Sequence, residues 1–142
     1  MNPFEFFIPQ NIIVGAGTLV RLPECAQKLG GTHAMLLSGP TLRKMGIVDK
    51  AAKYLEDAGM KVDIFTEIEA NPSVTTVEKA TTAFKEAGAD FIVALGGGSP
   101  MDVAKAVGVT AKYGGSITEY EGAHKVPGKI IPLIAIPTTA GT

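Results

Sequence analysis

Gly96, Gly97 and Gly98 follow an apolar run, FIVAL at residues 91–95, and are followed in turn by Ser99, Pro100, Met101 and Asp102. The run has the length of a buried strand, and the residues after the glycines carry the chemistry of a helix start. Ser99 reads as the N-cap, Pro100 as the first helical residue, where a missing N–H costs nothing, and Asp102 as an acceptor for orphan amides at the third position. The helix is expected to run to about Lys112. A strand that delivers a glycine turn to a helix N-terminus gathers unpaired N–H groups at the positive end of the helix dipole, with no Cβ atoms in the way. The chemistry this suits is phosphate binding. Neither common phosphate loop is present: Met101 stands where the dinucleotide fingerprint has its third glycine, and the Lys-Ser/Thr pair of the Walker loop is missing. The alternative is a tight turn without a ligand.

A second loop of the same kind, PTTAGT at residues 137–142, follows the apolar run PLIAI at 132–136 and carries the hydroxyls of Thr138, Thr139 and Thr142. Two more strands are expected, HAMLLS at residues 33–38, ending at Ser38-Gly39, and KVDIF at 61–65, followed by a loop with Asn71-Pro72. Between them lie a helical run through Lys44, a break at Gly46 and a helix over 48–58, and after the Asn71 loop a helix over 74–87 has Val77, Ala80, Thr81 and Phe84 on one face. This rhythm of strand and helix predicts an α/β fold with a parallel sheet. Strand-end loops of such a sheet share one edge, where ligands sit. That brings Gly39, Asn71, the glycine turn and the threonine loop together.

The flanking segments carry less chemistry. Residues 4–8 and 11–14 read as an N-terminal β-hairpin with exposed edges, a candidate for pairing with a second copy of the chain. A helical stretch over 18–29 is interrupted near Pro23, residues 116–121 form a polar turn, and residues 123–131 an exposed loop. His33 and His124 have no second histidine at i+4 and no carboxylate at ligand spacing, so a metal site is not expected.

A chain of 142 residues, 46% of them hydrophobic, fits one domain with a substantial core. Net charge is -1 with a pI near 6.1, and the lysines and arginines are scattered singly, which argues against a nucleic-acid surface. No apolar run approaches the ~18 residues of a membrane span, and MNPFEFFIPQ is not a secretory signal. A lone cysteine, Cys25, is expected as a part-buried helix residue and fits a reducing cytoplasm. The chain stops at the tip of a glycine–threonine loop, so a fragment of a longer protein is expected.

GGGSPMDVAKA at 96–106, IPTTAGT at 136–142, ANPS at 70–73 and PFEFFIPQNIIVGAG near the N-terminus resemble the N-terminal domain of the iron-containing, group III alcohol dehydrogenases. The resemblance covers the whole chain. It implies a Rossmann-like NAD(P)-binding domain of an oxidoreductase that interconverts a small alcohol and its aldehyde or ketone. It further implies a helical C-terminal domain, absent here, that holds the catalytic divalent metal, iron or zinc, on one aspartate and three histidines. This chain is then expected to carry cofactor chemistry and no catalytic centre of its own.

Matched position by position, the resemblance makes Gly97, Gly98 and Ser99 pyrophosphate contacts and puts Asp102 near the nicotinamide ribose, a role compatible with helix capping. Thr138, Thr139 and Thr142 become hydroxyls that reach the cofactor, and Asn71 lies on the adenosine side. Lys105 either leans toward phosphate or stays in solvent. Gly39 stands where many NAD-preferring members carry an aspartate that repels a 2′-phosphate, which leaves NADP or both cofactors open; Arg43 and Lys44 follow within a turn and could meet that phosphate. Two other readings stay open: a glycerol dehydrogenase or dehydroquinate synthase of the same superfamily, and a stand-alone nucleotide-binding module.

Overall fold

The computed structural model describes residues 17–121 and 125–138. The expected hairpin, His124, Thr139 and Thr142 lie outside them. After a 3-10 turn at Thr18–Arg21 the chain runs α1 (Leu22–Lys28), β1 (His33–Leu37), α2 (Pro40–Lys44), α3 (Ile47–Asp57), β2 (Lys61–Phe65), α4 (Val74–Ala87), β3 (Phe91–Gly96), α5 (Gly98–Tyr113), a second 3-10 turn (Ile117–Tyr120) and β4 (Leu133–Pro137). The four strands form one parallel sheet in the order β2-β1-β3-β4.

The period-2 alternation of the strands builds two cores, one on each face of the sheet. Met35, Leu37, Ile92 and Ala94 face α4 and α5, whose Val77, Ala80, Phe84, Val103 and Val107 close that layer. Their sequence neighbours Ala34, Leu36, Phe91, Val93 and Leu95 face the opposite way, onto α1 and α3 through Leu22, Ala26, Val48 and Leu55. β3 is buried along its whole length. Burying one large apolar side chain is worth about 1.5–3 kcal/mol, more than any single polar tie, so this strand anchors the fold.

Local chemistry sets the helix ends. Ser73 caps α4 by accepting from the Thr76 amide at 3.3 Å, and Gly88, with φ 74°, closes it in the left-handed conformation. Pro23 sits in the first turn of α1, so the proline that interrupts residues 18–29 also starts a helix. The polar turn at 116–121 is a 3-10 turn capped by Ser116 and Glu119. The crossover into β4 is pinned to α5, where Tyr113 Oη donates to Lys129 O and the Ile130 side chain packs on Gly108.

Polar ties hold the strand starts. Asp90, just before β3, accepts from the amides of Thr32 and His33 and from the Thr32 hydroxyl, while its own amide donates to His33 O. Across to β2, His33 Nε2 lies 2.5 Å from Asp63 Oδ2. The carboxylate that sequence spacing withholds from His33 is supplied by strand pairing, which brings residues thirty positions apart side by side. Cys25 is half-buried on α1, as expected.

Desolvation pushes the Asp90 carboxyl up, but the hydrogen bonds from Thr32 and His33 and the positive field of His33 together outweigh it and hold it below its ordinary 3.8. A carboxyl with a depressed folded pKa stabilises the fold above its unfolded value, and that contribution disappears as pH falls through the lower folded value. Asp90→Asn is expected to lose on the order of 1 kcal/mol at neutral pH, after discounting for solvent exposure, and to show a flatter acid limb below pH ~4 in urea titrations. Gly31→Ala is expected to cost about 1–3 kcal/mol, read as a lowered urea midpoint, because its new Cβ would collide with the wholly buried Phe91 ring.

Candidate functional site

All four strands point the same way, so the loops after them meet at one edge, as the α/β rhythm predicts. Hydrogen bonds then lock these loops to the glycine turn. Ser38, fully buried, donates its hydroxyl to Leu95 O at 2.7 Å, and its amide donates to Phe65 O at the end of β2. From β4, the Thr138 amide donates to Gly96 O at 2.9 Å. From the first turn of α5, Ser99 Oγ donates to Ala70 O at 2.8 Å, beside Asn71.

The start of α5 departs from expectation. Its N-cap is Gly97, in an extended conformation (φ -91°, ψ -152°), and the helix begins at Gly98. Ser99 and Pro100 are therefore the second and third helical residues, and Asp102 lies past the first turn, where no acidic side chain stands. The physical reason is competition for one hydroxyl. Ser99 spends its proton on Ala70 O, and glycine adopts the capping conformation without help. Because Gly97 has no side chain to occupy the first-turn amides, they remain available to an anion.

The glycines of this edge are of two kinds. Gly96 has φ 139°, and a Cβ there would press on Pro100 at 3.0 Å, so backbone and packing both require glycine. At Gly98 a Cβ would meet nothing within 4 Å, and at Gly39, in extended backbone, only Ile68 O at 3.6 Å. Neither position is forced to be glycine by the protein around it. Gly98 thus leaves its backbone open to approach, and Gly39 has room for a side chain.

Of the other predicted residues, Asn71, Asp102 and Thr138 are exposed and Lys105 is half-buried. The Ser38-Gly39 turn lies at the expected edge, but the Ser38 bond to Leu95 O and the Ser99 tie to Ala70 O were not legible in the sequence. For Ser38 the only signal was a small polar residue closing an apolar strand. Among the described residues no group of three His, Cys, Asp or Glu is arranged to hold a metal ion, and His33 sits at the opposite end of its strand from the glycine turn.

Residues 9–142 match the family model described as iron-containing alcohol dehydrogenase. Over 138 residues the chain is 35% identical to the NAD-dependent methanol dehydrogenase of Bacillus methanolicus, covering 97% of this chain and 36% of that enzyme. The crystal structure of a 1,3-propanediol oxidoreductase superposes with a TM-score of 0.89 at 37% identity, over 99% of this chain and 37% of that one. The sulfoacetaldehyde reductase of Bifidobacterium kashiwanohense, solved in complex with NAD+, superposes with a TM-score of 0.83 at 30% identity, over 100% of this chain and 38% of that one. The chain thus spans little more than a third of the length of these relatives. With residues 9–142 matched by the family model and the fold shared with these solved structures, the chain belongs to the iron-containing alcohol dehydrogenase family.

Proposed function

We propose that the chain is the NAD(P)-binding part of a metal-dependent alcohol dehydrogenase, one that moves a hydride between a small alcohol and the cofactor. The observation that carries this reading is the clamped glycine turn, with open space at Gly98 and no close contact at Gly39, where a Cβ would meet Ile68 O at an ordinary 3.6 Å. When bound, the nicotinamide supplies the hydride acceptor. The residues of this chain bind and orient it. The first-turn amides after Gly97 take the pyrophosphate, Asn71 and Gly39 flank the adenosine half, and Asp102 and the threonine loop of Thr138, Thr139 and Thr142 serve the nicotinamide half. The chain spans little more than a third of the length of its relatives, and, as the family resemblance implies, the divalent metal and the substrate walls are assigned to a separate helical domain of the enzyme. No described helix is long and apolar enough to cross a membrane, and the lone half-buried Cys25 fits a cytoplasmic enzyme.

The adenosine side bears on cofactor choice. Gly39 puts no negative charge where a 2′-phosphate would lie, and its extended backbone would accept another residue without strain. Nearby, Arg43 makes a solvent-exposed pair with Asp49 at 3.3 Å, the kind of bond that yields readily to a phosphate, and Lys44 is exposed beside it.

Fluorescence titration of the chain is expected to give dissociation constants for NADPH and NADH within about tenfold of each other. Gly39→Asp should leave the melting temperature nearly unchanged and weaken NADPH by about tenfold or more relative to NADH, through like-charge repulsion. A wild-type preference for NADH far beyond that range would rule out this account of Gly39. Mixed with an alcohol and NAD+, the chain alone is expected to bind the cofactor and reduce none of it. Alcohol-dependent growth of NADH absorbance would show that a catalytic centre lies within it.

A further inference from the structure

Ser99 stands among the expected pyrophosphate contacts, yet its side chain is already engaged. A serine hydroxyl has one proton to donate, and this one lies on Ala70 O at 2.8 Å. The oxygens of an ionised pyrophosphate only accept. For the Ser99 hydroxyl to serve the phosphate it would have to release Ala70, whereas its backbone N–H, in the first turn of α5, is available without that loss.

The partner carbonyl is well chosen for another task. The peptide plane that carries Ala70 O also carries the Asn71 nitrogen, and peptide planes are rigid, so holding one fixes the other. Both flanks of the same loop are held independently, Ser73 by its capping box with Thr76 and Glu69 by the Thr76 hydroxyl, which donates to its Oε1 at 3.2 Å. Ile68 and Pro72 are buried, while Ala70 and Asn71 between them are exposed. The exposed pair has little packing to hold it. Among the described residues, the bond from Ser99 is the hydrogen bond that ties this pair to the glycine turn.

We propose that the Ser99 hydroxyl is a positioning group: it ties the Asn71 loop to the glycine turn, so that the adenosine half and the pyrophosphate half of the cofactor site are set at a fixed spacing, and it does not itself bind phosphate. This rests on the dinucleotide reading above. It differs from a direct contact in what it predicts for partial ligands. Loss of the tether frees the Asn71 side and leaves the phosphate amides in place.

The test compares Ser99→Ala with the wild-type chain, using NADH by fluorescence and AMP and inorganic pyrophosphate by competition. The expected result is a loss of about five- to tenfold for NADH and AMP, with pyrophosphate unchanged to within about twofold. Ser99→Thr, which keeps the hydroxyl, should return NADH binding to within about threefold of wild type. Equal losses for pyrophosphate and NADH would make the hydroxyl a phosphate ligand and overturn the proposal. Unchanged NADH binding in Ser99→Ala would overturn it as well. Should Ser99→Ala fail to fold, Ser99→Cys, close in shape with a weaker donor, carries the same comparison. A wild-type chain that binds neither NADH nor NADPH would remove the cofactor reading and the tether together, an outcome distinct from any difference between the variants.

Discussion

The Ser38 hydroxyl donates to the carbonyl of Leu95 in a place closed to solvent, and the geometry of the ligand edge hangs on bonds of this kind. A buried hydroxyl without a partner costs about 1–3 kcal/mol, so the bond is enforced by the burial around it. β1 pairs with β3 only as far as Leu37 and Ala94, and Ser38 extends that alignment beyond the last rung of the ladder. On the other side, the Thr138 amide holds Gly96 O just past the last rung between β3 and β4. The glycine turn is thus gripped by its carbonyls from both neighbouring strands. Carbonyls committed inward leave amides as the groups a ligand can use.

The two ends of the sheet have separate tasks. At the strand starts, carboxylates and a histidine tie β1 to β2 and β3, and the result is alignment of the strands. At the strand ends the ties are neutral, made by hydroxyls and amides. A carboxylate clamped beside the glycine turn would repel the anion that the turn is suited to hold, while a neutral tie positions the loops without charge. A device that is sound for stability at one end would work against binding at the other.

The fold was legible because its main signals are local. β2 and α4 span the residues that periodicity assigns, β1, β3, β4, α3 and α5 shift at their ends by one or two residues, where hydrogen bonds and caps compete, and the stretch expected as one helix from Thr18 divides into a 3-10 turn and α1. The site was legible in outline, since a parallel sheet sends every strand end to one edge. Its wiring was not. Ser99 looks like an N-cap in sequence because serine before proline usually is one, and only the approach of Ala70, twenty-nine positions away, draws the hydroxyl elsewhere and lets Gly97 cap instead. The pairing of His33 with Asp63 and the capture of Thr32 by Asp90 are hidden for the same reason, because strand register creates both.

Glycine shows how far a residue type can be read before its surroundings are known. Gly31, Gly96, Gly98 and Gly39 are alike in sequence, yet the first is excluded from bearing a side chain by Phe91 and the second by its φ of 139°. At the last two, no described residue stands in the way of a side chain. A glycine that its own protein does not require loses backbone entropy on folding without any return in packing, about 0.5–1 kcal/mol against alanine in regular structure. Two such positions lie on one edge of the sheet, at the N-cap of α2 and the first residue of α5. Room beside the backbone at Gly98 suits the approach of a group to the start of α5, whereas Gly39 leaves a place where a side chain could stand without strain.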